Sequence, residues 1–207
     1  VGKYNGLCVA HLRNEGKDLS ASVEEAIVMA RRSGVRLHIL HLKSVGRRYW
    51  KELERALYFL EASDSEGIDI SFDVYPYRQT ASVLYTLLPT WVTDGGKKLM
   101  LERLRNPATR AEAAHDLREE RIDYSSAYLS VSSLNRMMNR TNVLDMAKAQ
   151  GKSPEDVIFD VLLASDDRAI VSLDALSEEN IEREIRHPFS IVSTNGVGYP
   201  SSHAGTG

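Results

Sequence analysis

Cysteine is nearly absent. Cys8 is the only one in 207 residues, so no disulfide can form within the chain, and a reducing, cytoplasmic setting suits it. Long hydrophobic runs are missing as well: nowhere do about 18 apolar residues follow one another, so the sequence offers no segment to a membrane. The N-terminus carries no charged, then apolar, then small-residue leader. It starts at Val1 without methionine and the chain ends on "SSHAGTG", so both ends are read as cut. Charge of one sign is also lacking, since 26 Lys and Arg face 29 Asp and Glu for a net charge of -3. No basic block is dense enough to track a phosphate backbone, which excludes nucleic acid as a partner. There is no internal repeat and no low-complexity tract. What remains is an ordinary globular composition, 43% hydrophobic and 27% charged, enough for one large core or two small ones.

The first third of the chain alternates. "LCVAHL" (7–12) reads as a buried strand. Ser22 and Glu25 then fit a capping box, Val23, Ala26, Ile27 and Ala30 recur on one helical face, and Gly34 stands where a helix ends. "VRLHILHLK" (35–43) is the next strand, 50–62 the next helix with Leu53, Ala56, Leu57 and Leu60 inward, and "IDISFDVYPY" (68–77) the third strand. This β-α-β-α-β order predicts a parallel sheet with right-handed crossovers, an α/β class. Beyond Tyr77 the pattern is less regular. Pro89 breaks the apolar "SVLYTLLPTWV" (82–92), and helices are expected at 97–105 and 107–119. "AYLSVS" (127–132) and "AIVSL" (169–173) read as short strands. Ser153 caps a helix opened by Pro154, Ser177 starts another running to about Arg186, and "FSIVSTNG" (189–196) is the last strand and its exit turn.

Two strands close on a histidine followed two residues later by a cation: His11 with Arg13, and His41 with Lys43. Both histidines fall at C-terminal strand ends, where open α/β sheets and (β/α)8 barrels bind their ligands. One β-α-β unit separates them, so they should meet above neighbouring strands about 5–7 Å apart, close enough to share a divalent metal. Either alone would read as a satisfied core histidine; the pair reads as ligands. Alternation along a strand puts His38 on the face opposite His41, packed under a helix. His115 and His187 read as solvent or capping residues. Asp73 is either a structural hydrogen-bond acceptor or part of the mouth, and Tyr75 either wall or polar rim. Arg13 and Lys43 either hold a carboxylate-bearing substrate or pair with Glu15 and Asp73.

The motifs "AHLRNEG", "ILHLKSVG", "DVYPY" and "STNG", in this order, resemble the D-aminoacylase (N-acyl-D-amino-acid deacylase) family of the amidohydrolase superfamily. That family reads roughly T-H-x-R-x-E, I-S-H-x-K-x-x-G, D-x-Y-P-Y and G-S-D-G. The resemblance implies part of a (β/α)8 TIM barrel of the metal-dependent hydrolase type, about strands five to eight with helical insertions. Residues 1–77 would be the β-α-β-α-β core, 78–165 a mostly helical insertion, and 166–207 the last barrel strand with its preceding helix. It implies zinc as cofactor, one ion held tightly by His11 and His41 with room for a second, weaker one. Lys43, Tyr75 and Arg13 would line the site of a small N-acyl amino acid, with the metal-activated water attacking its acyl carbonyl. The missing N-terminal half of the barrel, or a second copy, would be the partner.

Two departures bear on activity. The family's ligands before strand five are absent, and Cys8, inside its strand, is not the family's cysteine ligand. Asn195 stands where the family has the aspartate that acts as general base, and an amide cannot take up the proton. The arginine that follows in the family is missing around His203. The alternatives are therefore a catalytically inactive amidohydrolase-like binding or partner subunit, and an amidohydrolase acting on cyclic amides.

Overall fold

A computed structural model of the chain describes residues 1–131 and 141–196; His203 and its neighbours lie outside the described residues. The chain divides into two compact units. Among the described residues, one comprises Val1–Arg78 and the segment 175–196, and the other is built on Gln79–Asp174.

In the first unit, β1 (Leu7–Ala10), β2 (Arg36–Ile39), β3 (Ile70–Val74) and a C-terminal strand (Ser190–Val192) form one sheet in that order, every pairing parallel. The expected α/β class is borne out. Helix α1 (Leu19–Ser33) joins the first two strands and α2 (Glu52–Ser65) the next two. The first presents leucine, valine, isoleucine and alanine at helical spacing and the second leucine and alanine, and these pack with Leu37, Ile39, Ile70 and Phe72 into one core. Gly34 ends α1 in the left-handed conformation (φ 61°) and returns its N–H to Ala30, as the pattern predicts. Ser22 does not cap this helix. The N-cap is Asp18, and Ser22 lies buried one turn inside, its hydroxyl accepting from Asn14 N. The helix starts early because the apolar Leu19 already belongs to the core.

Among the described residues of this unit, only one face of the sheet carries helices. Register places Leu7, Val9, His38, Ser71, Asp73 and Ile191 on the other. There Leu7, Val9 and Ile191 are 45%, 50% and 56% exposed, whereas parallel sheets are ordinarily covered on both faces.

The second unit holds β4 (Gln79–Val83), the short α3 (Thr90–Thr93), α4 (Lys97–Arg105), α5 (Pro107–Glu119), β5 (Ala127–Val131), β6 (Thr141–Asn142), α6 (Val143–Gln150), α7 (Pro154–Ser165) and β7 (Ile170–Asp174). Its sheet is antiparallel, in the order β4-β7-β5-β6. The segment expected to be mostly helical thus has a sheet of its own. Ile170–Asp174, expected to lie with the last barrel strand, pairs with Gln79–Val83 instead. Back in the first unit, α8 (Glu178–Ile185) precedes the last strand, β8 (Ser190–Val192).

The caps read from sequence at Ser153 and Ser177 are made. Ser153 Oγ accepts from Asp156 N at 3.1 Å and Ser177 Oγ from Asn180 N at 3.3 Å. Ser153→Ala is expected to cost about 1 kcal/mol, read as a lower urea midpoint at unchanged slope. Among the described residues no helix is long and apolar enough to cross a membrane.

Candidate metal centre

Past their last residues, the three parallel strands β1, β2 and β3 bring a cluster of polar side chains to one edge of the sheet. Leu40 N donates to Ala10 O and Leu42 N to Asp73 O, both at 2.9 Å, so the chain leaving β2 stays pinned between its two neighbours. His41, between them, takes φ 39°, a conformation few side chains adopt. This turn carries the ring toward β1. His11 Nδ1 and His41 Nε2 lie 2.6 Å apart, with ring centroids at 4.6 Å, closer than strand spacing alone predicts.

The far nitrogen of His41 is held from behind. Glu15 Oε1 lies 3.1 Å and Lys43 Nζ 2.8 Å from His41 Nδ1, and Lys43 Nζ donates to Glu15 Oε1 at 2.5 Å and to His41 O at 3.1 Å. Either tautomer of His41 is thereby served. With Lys43 donating to Nδ1, the proton sits on Nε2 and points at His11. With Nδ1–H donated to Glu15, Nε2 is a bare lone pair, the form that ligates a cation. Burial pushes the Glu15 carboxyl up, but the hydrogen bond from His41 and the charge and hydrogen bond of Lys43 outweigh it and hold the group below its ordinary range. Burial pulls the Lys43 ammonium down, against the pull of Glu15. The Lys43 side chain is only 7% exposed, so this pair is largely out of water and each charge depends on the other.

The remaining expected residues are placed as follows. Tyr75 is buried with Leu176 and Ile181, with Lys43 Nζ 5.7 Å from its ring centroid. Arg13 turns away: its guanidinium makes two hydrogen bonds to the Glu25 carboxylate on α1, at 2.8 and 3.0 Å, and its side chain is 76% exposed. The alternative partners Glu15 and Asp73 are taken by Lys43 and by the His41 backbone. Asn195 is exposed in the turn after β8, at the same edge of the parallel sheet, with φ 47°.

Two histidine readings are corrected. His38 does not pack under a helix: it lies on the helix-free face, with Nδ1 2.8 Å from Ser71 Oγ and Nε2 3.7 Å from Asp73 Oδ2. The alternation that opposed it to His41 fails because β2 ends at Ile39 and the chain turns at His41. The solvent reading of His187 fails and the capping one stands: it is 7% exposed between Phe72 and Phe189, its Nδ1 accepts from Phe189 N at 3.3 Å, and its Nε2 lies 3.1 Å from Glu61 Oε1. The sequence reading missed Glu184 altogether. It lies on α8, 1% exposed, its Oε1 without a hydrogen-bond partner, and burial pushes its carboxyl up to about 8 although Lys43 draws it down. The available signal was its place three residues after Ile181, on the stripe α8 buries.

Among the described residues, no group of three or more His, Cys, Asp or Glu is placed to hold a metal ion. The pair supplies two donors. Two imidazole nitrogens on one tetrahedral zinc lie about 3.3 Å apart, so a small rotation of either ring admits the ion between His11 Nδ1 and His41 Nε2.

Comparison with known proteins bears out the resemblance carried by the motifs. No protein-family model matches the chain. The N-acyl-D-glutamate deacylase of Alcaligenes xylosoxydans xylosoxydans is 30% identical over 78 residues, 38% of this chain and 16% of that protein. The D-aminoacylase of the same organism is 30% identical over 84 residues, 41% of this chain and 17% of that protein. Both are amidohydrolase-superfamily deacylases. Among solved structures, the N-acyl-D-glutamate deacylase of Bordetella bronchiseptica, in complex with zinc and a phosphonate mimic of the tetrahedral intermediate, superposes with a TM-score of 0.68 at 18% identity. It covers 92% of this chain, which spans 32% of that one. A D-aminoacylase described as having a binuclear metal centre gives a TM-score of 0.65 at 17% identity, with the same coverage. The structural likenesses show the fold. The chain spans about a third of these structures, and its sequence matches about a sixth of the curated relatives.

Proposed function

We propose that this chain is the strand-five-to-eight portion of a zinc-dependent (β/α)8 amidohydrolase that deacylates N-acyl D-amino acids. The observation that carries the reading is the 2.6 Å approach of His11 Nδ1 to His41 Nε2 at the ends of adjacent parallel strands. The uncovered apolar side chains Leu7, Val9 and Ile191 support a barrel whose remaining strands lie elsewhere in the protein, and those strands would bring the other ligands. Residues 79–174 are then an insertion between two barrel strands. The single free cysteine suits the cytoplasm.

When bound, zinc polarises the acyl carbonyl and lowers the pKa of a water to about 7. The chain's own residues do the rest. His11 and His41 hold the ion, and Glu15 keeps the ligating lone pair of His41 on Nε2 by accepting from Nδ1. Lys43, bonded to Glu15, and Tyr75 would meet the substrate carboxylate. Arg13 would reach it only by leaving Glu25. Asn195 can orient a water through its amide but cannot accept its proton.

That last point favours a second reading, a non-catalytic relative keeping the metal pocket for binding or for pairing with an active partner. The test is release of free amino acid from N-acetyl D-amino acids by the full-length protein, with and without a chelator. Slow hydrolysis that chelation abolishes is the expected result. Zinc binding without any hydrolysis would favour the second reading.

A further inference from the structure

The left-handed backbone at His41 needs a cause, because a side chain held there persists only where neighbours over-determine it. Asp73 is such a neighbour. Its Oδ1 accepts from His41 N and its backbone carbonyl from Leu42 N, so one residue grips two consecutive peptide N–H groups at the turn. Its other oxygen lies 3.7 Å from His38 Nε2, an electrostatic contact, and His38 Nδ1 is 2.8 Å from Ser71 Oγ. The His38 and Asp73 side chains are 13% and 16% exposed, and the three residues form a polar row on the helix-free face of the sheet.

We propose that Asp73 is a positioning residue for the metal pair: it fixes the turn that aims His41 Nε2 at His11, and His38, backed by Ser71, holds its second oxygen. This rests on the metal reading above. The role requires an acceptor oxygen and not a negative charge, which separates it from direct ligation. Asp73→Asn keeps the acceptor and loses the charge, whereas Asp73→Ala loses both.

The experiment uses the full-length protein, with zinc affinity measured by chelator competition. Amide exchange at His41 is followed in the metal-free protein by residue-resolved mass spectrometry. Asp73→Ala should lose about 10- to 100-fold in zinc affinity, with faster exchange at His41, while Asp73→Asn stays near wild type in both. Equal loss of affinity in the two variants would make Asp73 a ligand and overturn the proposal, as would wild-type behaviour of Asp73→Ala. If the wild type binds no zinc, the metal reading fails by itself. Exchange at His41 then decides the positioning role, supporting it if faster in Asp73→Ala and overturning it if unchanged. Should Asp73→Ala fail to fold, His38→Ala carries the test, with an expected loss of up to about tenfold; no change in affinity or exchange would overturn the proposal.

Discussion

Replacing Asn195 by aspartate should raise the turnover of the full-length protein by about 10²- to 10⁴-fold, the usual contribution of a positioned general base. The two side chains have nearly the same shape, so the change supplies a proton acceptor and little else. Asn195 is exposed at φ 47°, a conformation that Asp tolerates about as well as Asn, and stability should move by no more than about 0.5 kcal/mol. A gain in kcat with KM nearly unchanged would identify an interaction made only in the transition state. Zinc-loaded Asn195→Asp that still hydrolyses nothing would support the non-catalytic reading.

The second large effect is on stability and concerns Glu184. Its carboxyl is 1% exposed with one oxygen unpaired, and burial raises it from 4.5 to about 8 against a smaller, opposing pull from Lys43. Between those values the folded chain binds the proton more tightly than the unfolded chain. The contribution of Glu184 to stability is therefore fullest below about pH 4.5, falls as pH rises, and levels off above about pH 8. At about 1.4 kcal/mol per unit, the loss at pH 7 is on the order of 3 kcal/mol. Glu184→Gln removes the ionisation and should stabilise the protein by that order at pH 7, flattening the fall between pH 5 and 8. Urea unfolding of both proteins across that range measures it; parallel pH profiles would show that Glu184 is not the source.

Much of the site was legible because it depends on local pattern. Helical spacing located α1 and α2, and equal position in successive β-α units brought His11 and His41 together. Lys43 beside Glu15 was one of two pairings the sequence left open. What escaped depends on contacts distant in sequence or on a local break of period. Gln79–Val83 pairs with Ile170–Asp174 across the length of its unit, and neither strand announces the other. The turn at His41 interrupts a run that reads as strand through Lys43, which put His38 on the wrong face. His187 looked like a surface residue before a proline, but its ring is buried by Phe72, far away in sequence.

We propose that His11 and His41 hold one metal ion between them. Zinc content of the full-length protein and of its His11→Ala and His41→Ala variants tests this most directly, with circular dichroism confirming that each variant folds. About one tightly bound zinc per chain, lost in both variants, is the predicted result. Zinc that survives both changes, or none in the wild type, would contradict it.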